Sequence, residues 1–103
     1  MRPRIYVALP YRDTPEQMQE DEGWVRDILR LNCIPVCPHI CFSDETYWAR
    51  LNAEALMRCN GLALFSTWLI SDVVLREKNC AQGNDIPIFL NSMELSKWLR
   101  RGA

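Results

Sequence analysis

Residues 61–66 read Gly-Leu-Ala-Leu-Phe-Ser, and a helical pattern follows them from Ser71 to Gly83. A short apolar run of this kind is typical of a strand that is buried on both faces of a sheet. Ser71 is a favourable N-cap, and Gly83 stands just past the last turn, where helices commonly end. This stretch therefore predicts a strand followed by a helix, which is the repeating unit of parallel sheets.

The same succession of strand and helix recurs along the whole chain. Apolar and β-branched runs predict strands over residues 5–9, 34–37, 61–66 and 86–90. Amphipathic patterns and N-caps at Thr14 and Ser92 predict helices over residues 15–32, 45–59, 71–83 and 92–101. Four such alternations predict an α/β fold, namely a three-layer Rossmann-like or flavodoxin-like domain with a mainly parallel four-stranded sheet. Pro35 indicates that the second strand lies at an edge, since proline cannot donate to a ladder.

The composition is that of a globular protein. Of the 103 residues, 49% are hydrophobic and 24% are charged, so residues 1–103 are predicted to form one domain around one core. A net charge of −1 gives no reason to expect a nucleic-acid polymer as a partner. No signal peptide or membrane span is visible, and the five cysteines are an odd number. We therefore expect a cytoplasmic protein without a membrane partner.

Three cysteines are closely spaced and raise the question of a metal site. Cys33, Cys37 and Cys41 follow one another at intervals of four residues, and His39 lies between the last two. Structural zinc normally uses paired cysteines two residues apart in tight turns, and prolines interrupt this segment. We therefore predict no metal, with Cys33 and Cys37 as small buried hydrophobic residues that flank a strand.

Glu77 stands at a position where a carboxylate is unexpected. On a helical wheel it falls in the middle of the apolar stripe that is formed by Val73, Val74, Cys80 and Ala81. A carboxylate on such a stripe is costly unless it is paired, and burial raises its pKa toward the range that is useful in catalysis. The other interpretation is a structural ion pair with Arg4, Arg12 or a neighbouring chain.

The first helix also carries a carboxylate on its apolar stripe. Asp21 falls among residues that are expected to face the core, namely Met18, Trp24, Val25, Ile28 and Leu31. This side chain could contact a ligand or bond a neighbouring loop.

The predicted topology brings several polar segments to one edge of the sheet. Ligands of parallel α/β sheets bind at the carboxyl ends of the strands. This rule gathers residues 10–13, 38–43 and 66–72 together with Asn91. The helix that carries Glu77 begins at the same edge, so Glu77 is expected to face the same crevice.

Four segments of the chain resemble one known family when they are taken in order. Residues 5–12 read Ile-Tyr-Val-Ala-Leu-Pro-Tyr-Arg, and residues 34–39 read Ile-Pro-Val-Cys-Pro-His. Tyr47-Trp48 begins a helix that continues through Leu51-Asn52 to the run Arg58-Cys59-Asn60, and Ser71 precedes Glu77 by six residues. Together these motifs resemble the nucleoside 2-deoxyribosyltransferase superfamily, especially its small bacterial and phage branch.

The resemblance implies an N-glycosidase or N-deoxyribosyltransferase that acts on a nucleoside or nucleotide without a cofactor. Glu77 would be the catalytic nucleophile. The implied substrate-binding residues are Tyr6, Pro10, Tyr11, Arg12, His39, Tyr47, Ser71 and Asp72. We expect a homo-oligomer, because aromatic residues such as Trp68 and Trp98 are expected to be exposed and because members of the family commonly associate.

Three positions depart from the family pattern and favour a second interpretation. Leu9 and Val73 stand where the family has glycine, and Asn60 replaces an aspartate, a candidate acid beside the third strand. Side chains in place of glycine reshape the pocket, since glycine lets the backbone approach a ligand closely. The alternative function is a catalytically silent protein that binds or sequesters a nucleotide, for example a phage protein that binds a nucleotide signal. A purely structural oligomer would instead have an occluded crevice.

Overall fold

The computed structural model describes residues 2–8, 15–37, 45–65 and 72–102. Strands and helices alternate along these ranges as the sequence predicts. The strands are β1 (Arg4–Val7), β2 (Ile34–Val36), β3 (Gly61–Ala63) and β4 (Ile88–Phe89). The helices are α1 (Pro15–Arg30), α2 (Glu45–Met57), α3 (Asp72–Gly83) and α4 (Ser92–Arg100). No helix within the described ranges has the length and apolar character that crossing a bilayer requires.

The four strands form one parallel sheet in the order β2-β1-β3-β4. Ile5 pairs with Pro35 on one side and with Gly61 on the other, while Leu62 pairs with Ile88. The predicted parallel four-stranded sheet is therefore confirmed. Pro35 lies in edge strand β2, as predicted, where one side of the strand needs no donor.

The helices cover both faces of the sheet, which confirms the predicted three-layer Rossmann-like or flavodoxin-like fold. Successive residues of a strand point to opposite faces, and β1 divides its side chains accordingly. One face packs α2 and α3 against Tyr6, Ala8, Leu62 and Leu64. The other face packs α1 and α4 against Ile5, Val7, Ala63 and Phe89.

Some expectations about single residues are wrong, for local reasons. Met18 is 52% exposed because it lies in the first turn of α1, at the margin of the layer that the helix covers. Cys37 is exposed because β2 ends at Val36, while Cys33 is buried as predicted. The N-cap of α4 is Asn91 instead of Ser92, since the Glu94 N–H donates to the Asn91 side chain. Helix α1 ends at Arg30, and Asn32 takes a left-handed conformation (φ 63°) just beyond it.

Candidate functional site

The sheet has a topological switch point between the neighbouring strands β1 and β3. The chain passes from β1 to β2 on one side of β1, and it then crosses to form β3 on the other side of β1. Pairing continues beyond the strands, since Ala8 N–H donates to the Ala63 carbonyl at 3.0 Å. A ligand crevice is expected at this point of a parallel sheet. We call the edge formed by the carboxyl ends of the strands the site edge, and the opposite one the amino edge.

Tyr6 and Glu77 meet in the layer between the sheet and α3. Tyr6 is fully buried in β1, and Glu77 is 5% exposed in the second turn of α3. The Tyr6 hydroxyl donates a hydrogen bond to Glu77 Oε1 at 2.9 Å. The prediction that Glu77 faces inward is therefore confirmed, and its direct partner among the described residues is a phenol.

The second carboxylate oxygen of Glu77 has no such partner. Glu77 Oε2 is buried and accepts no hydrogen bond from any described residue. The surrounding layer is mainly apolar and includes Leu62, Val74 and Ala81. A buried carboxylate oxygen without a donor is costly, so proteins retain one chiefly where a proton, an ion or a ligand uses it.

Burial shifts the protonation equilibrium of both side chains. Burial raises the pKa of Glu77 to about 7, and the hydrogen bond from Tyr6 offsets part of that rise. The pKa of Tyr6 is raised above its ordinary value, first by burial and then by the negative charge of Glu77. Tyr6 therefore stays protonated, while Glu77 changes between acid and anion near neutral pH.

An ion pair between Glu77 and Arg4, one of the alternatives that the sequence leaves open, is not formed. Within the described ranges no arginine or lysine forms an ion pair with Glu77. Arg4 is exposed at the start of β1, and its backbone N–H donates to Asn60 Oδ1 at 2.9 Å. Arg12, the other predicted intramolecular partner, lies outside the described residues.

The same contact corrects the interpretation of Asn60. Asn60 N–H donates back to the Arg4 carbonyl at 2.8 Å, so Asn60 joins the start of β1 to the residue before β3. This junction lies at the amino edge, away from the carboxyl ends of the strands. The Asn60 side chain therefore joins the starts of two strands at the amino edge and does not lie at the site edge, where an acid for the reaction would be needed.

Asp21 is buried, but it belongs to the other face of the sheet. It is 9% exposed on α1, the helix whose Ile28 packs against the face opposite to Glu77. It lines a shallow depression with Arg26 and Cys37. Cys37 is exposed as a residue, but its sulfur is partly desolvated in this depression, and that desolvation followed by the charge of Asp21 raises the pKa of the thiol. The two inward carboxylates thus lie on helices that cover opposite faces of the sheet.

The structure brings together two of the predicted site residues, Tyr6 and Glu77. Tyr47 and Asp72 lie in the first turns of α2 and α3, at the site edge, but their side chains are outside the described part. The remaining predicted residues are also outside the described ranges: Pro10, Tyr11, Arg12, His39 and Ser71.

One buried polar residue belongs to a motif of the resemblance but was not predicted as a site residue. Asn52 is 6% exposed on α2, in the stripe that continues with Leu56 and Cys59 in the same core layer as Tyr6. The spacing 52, 56, 59 places an amide on an apolar stripe, and this is the same signal that identified Glu77. Asn52 is therefore a further candidate for the polar lining of this layer.

Metal chemistry has no visible ligand set in the described part of the chain. There, no group of three or more histidine, cysteine, aspartate or glutamate side chains could hold an ion. The four described cysteines are free thiols. Cys41 and His39 lie outside the described residues, and the predicted lack of a metal stays a prediction.

Comparison with known proteins leaves the family open. The sequence matches no protein-family model, and no curated protein is significantly similar to it. The functional assignment therefore depends on the fold and on the pair formed by Tyr6 and Glu77.

Proposed function

We propose that the protein cleaves or transfers the N-glycosidic bond of a nucleoside or nucleotide, with Glu77 as the nucleophile. The observation that supports this proposal most directly is that only one of the two oxygens of the Glu77 carboxylate is hydrogen-bonded. Oε1 is held by the Tyr6 hydroxyl at 2.9 Å, whereas Oε2 is buried without a donor among the described residues. A nucleophile needs this combination of a fixed orientation and one uncommitted oxygen.

The chemistry follows the retaining route of glycosyl transfer. The Glu77 carboxylate attacks C1′ of the sugar as the bond to the base breaks, which gives a glycosyl ester and a departing base. A second base or water then attacks the same carbon and releases the carboxylate. An anion in an apolar layer stabilises the oxocarbenium-like transition state strongly, because little water screens it.

The protonation state of Glu77 sets a condition on this reaction. Only the ionised carboxylate can attack, and the pKa of Glu77 lies at about 7. The rate is therefore expected to rise with pH through the neutral range. Tyr6 supports the ionised form, since its hydroxyl donates to Oε1.

The second candidate function is binding or sequestration of a nucleotide without turnover. A carboxyl group with a pKa of about 7 is about half protonated at neutral pH. In that form it can donate a hydrogen bond to a ligand instead of attacking it. The side chains of Leu9 and Val73, in place of the family's glycines, also favour this alternative.

The proposal includes a cytoplasmic setting and a homo-oligomer. Free thiols at Cys33, Cys37, Cys59 and Cys80 are consistent with a reducing compartment. Large apolar side chains are exposed near the start of α4, where Leu90 is 54% and Met93 is 65% exposed. Apolar exposure of this kind favours association with another surface.

A trapping experiment separates the two functions. The protein is incubated with 2′-deoxynucleosides and their 5′-monophosphates, and the products are separated by chromatography. The mass of the intact protein is then measured by mass spectrometry after an acid quench. The proposed enzyme is supported if wild type releases free base and carries a glycosyl adduct, and if Glu77→Gln does neither. A ligand that is released unchanged on denaturation identifies the binding protein, and turnover by Glu77→Gln contradicts the nucleophile.

A further inference from the structure

Strand β4 is the last strand in the sheet order β2-β1-β3-β4, and its bonds to β3 show which backbone groups lie on its outer side. Leu62 N–H donates to the Pro87 carbonyl at 2.9 Å. The carbonyl and the N–H of one trans peptide point in opposite directions, so the N–H of Ile88 points away from β3. The parallel register of Leu62 with Ile88 turns the Phe89 N–H back toward β3, and the Ile88 carbonyl therefore points outward as well. Ile88 thus presents a donor and an acceptor together on the outer side of β4.

The neighbouring N–H groups of this outer side are bonded within the chain itself. Ile86 N–H donates to the Ala81 carbonyl at 2.9 Å, and Leu90 N–H donates to Glu94 Oε2 at 2.7 Å. A docking strand keeps both of these bonds only if its pairing is centred on Ile88. The edge therefore specifies one register, which is how proteins limit open-ended pairing at a sheet edge.

A second copy of the same strand fits this register. In an antiparallel pair, two residues that face each other directly can exchange both of their backbone hydrogen bonds. On a two-fold axis that is perpendicular to the sheet, Ile88 faces its own copy, and each N–H donates to the other carbonyl. The same operation places the exposed side chain of Leu90 beside the partner's half-buried Ile86. Backbone groups and apolar side chains at this edge are therefore self-complementary.

The charges of α4 give a second and independent form of complementarity. Glu94 lies on the outer side of α4, since its carboxylate holds the Leu90 N–H, and the exposed Arg101 is the C-cap seven residues later. Seven residues are about two turns, so both side chains lie on the same face of the helix. Arg100 differs, because its guanidinium donates to Ser96 Oγ at 3.2 Å on another face. The outer face of α4 thus carries an acid near the site edge and a base near the amino edge.

The axis through Ile88 brings these opposite charges together. The chain rises about 3.3 Å per residue in a strand and about 1.5 Å in a helix, so the two residues from Leu90 back to Ile88 correspond to about four residues of α4. The middle of the segment from Glu94 to Arg101 is therefore level with Ile88. A two-fold axis at that level sets Glu94 of each protomer against Arg101 of the other. Lys97 lies between them in sequence, but it is turned about 60° further from the sheet.

We infer that the protein forms a two-fold dimer in which two four-stranded sheets join edge to edge at Ile88 and the two α4 helices lie side by side. One symmetry operation satisfies both the backbone groups of the edge and the charges of α4, and this agreement identifies the partner as a second copy of the chain. The inference rests on the homo-oligomer that the proposed function includes. It is independent of catalysis by Glu77.

The oligomeric state in solution tests the inference. Size-exclusion chromatography with light scattering over a dilution series should give wild type a mass of twice the 12.0 kDa chain. Arg101→Glu and Glu94→Lys each set like charges against each other in both pairs, so each should raise the dimer Kd about tenfold or more. Arg100→Glu is the matched control. It changes the net charge as Arg101→Glu does, but it lies off the interface and should leave Kd unchanged.

A mixture of the two interface variants gives the sharpest test. When a chain with Arg101→Glu meets a chain with Glu94→Lys, both pairs again join opposite charges. The equimolar mixture should therefore dimerise with a Kd near that of wild type, although each variant alone dissociates. This recovery also shows that both chains fold, which matters because Glu94→Lys removes the bond to the Leu90 N–H.

The outcomes separate this inference from the glycosidase. A wild type that stays monomeric overturns the inference and leaves catalysis by Glu77 standing. An assembly that Arg101→Glu and Arg100→Glu weaken equally, or a mixture that shows no recovery, also overturns it. A dimeric wild type that responds as expected supports the inference, even if it releases no base and the glycosidase is contradicted.

Discussion

The Tyr6 hydroxyl and Glu77 Oε1 are 2.9 Å apart and link two residues that are 71 positions apart in the chain. One lies in a central strand and the other in the second turn of a helix that covers that strand. The bond satisfies one oxygen of a buried carboxylate, and the other has no hydrogen-bond partner among the described residues. The stability and the activity of the protein should therefore depend on pH through the same side chain.

Replacing Glu77 by glutamine should make the protein more stable at alkaline pH. The folded-state pKa of Glu77 is raised from 4.5 to about 7, so the native state holds a proton that the unfolded state loses. Stability of the wild type should fall as pH rises between these values, by at most about 3 kcal/mol. Glutamine carries no charge and should abolish that fall. Urea unfolding of both proteins at pH 5 and at pH 8 measures the difference.

The exposed Glu54→Gln change is the control, because it should leave the slope unchanged. The sign of the effect at pH 8 also separates two interpretations of Glu77. If an ion pair with a residue outside the described ranges stabilised Glu77, glutamine would lower the stability at pH 8 by about 3–5 kcal/mol. That result would contradict the account of an uncompensated buried carboxylate.

Replacing Gly61 by alanine should destabilise the sheet. A Cβ at this position would lie 2.6 Å from Cε2 of Phe89 and 3.3 Å from Cδ1 of Ile5. The Phe89 ring cannot move away easily, because it is buried and packs against Trp98 with ring centroids 5.1 Å apart. We expect a loss of about 1–3 kcal/mol, measured by chemical unfolding.

Gly23 provides the matched control for this prediction. It lies inside α1, and a Cβ there would meet no atom within 4 Å. Gly23→Ala should therefore raise stability by roughly 0.5–1 kcal/mol, as alanine is the better helix former. Equal losses from the two alanines would argue against the packing of Phe89 over Gly61.

Removing the Asn91 side chain should destabilise α4. Asn91 Oδ1 accepts from the Glu94 N–H at 2.9 Å, and Glu94 Oε2 accepts from the Leu90 N–H at 2.7 Å. Asn91→Ala should cost about 1 kcal/mol in the free energy of unfolding, the usual loss for an N-cap. Ser92→Ala changes the residue that the sequence pattern favours and should have a much smaller effect. A larger loss from Ser92→Ala would show that Ser92 is the cap in solution.

The burial of Glu77 could be predicted from the sequence, but its partner could not. Helical periodicity is a local property, so the stripe that contains Val74 and Ala81 is enough to place Glu77 on the inner side of α3. Its partner depends on the strand order and on how α3 is rotated over β1, which are non-local. Charge alone suggested Arg4, yet the register places Arg4 at the start of β1 and Tyr6 two residues further along.

The errors at Met18 and Cys37 have a similar origin. Periodicity indicates which side of an element faces inward, but it does not show where the opposing layer ends. Met18 is in the first turn of α1, and Cys37 follows the last residue of β2, so both lie at the margin of their layers and are exposed. Leu62, by contrast, is the middle residue of β3 and is fully buried.

Replacing Tyr6 by phenylalanine should move the pH dependence of activity toward higher pH. The hydroxyl lowers the pKa of Glu77, because it donates to the carboxylate, and its loss raises that pKa above about 7. Activity that requires the anion should then reach its half-maximum at a higher pH and recover toward the wild-type rate in alkaline buffer. The profile of kcat against pH, together with a carbon-13 NMR titration of the Glu77 carboxyl, measures both effects. A merely structural role for Tyr6 predicts lower stability with an unchanged midpoint, and that outcome would show that the hydrogen bond does not tune the nucleophile.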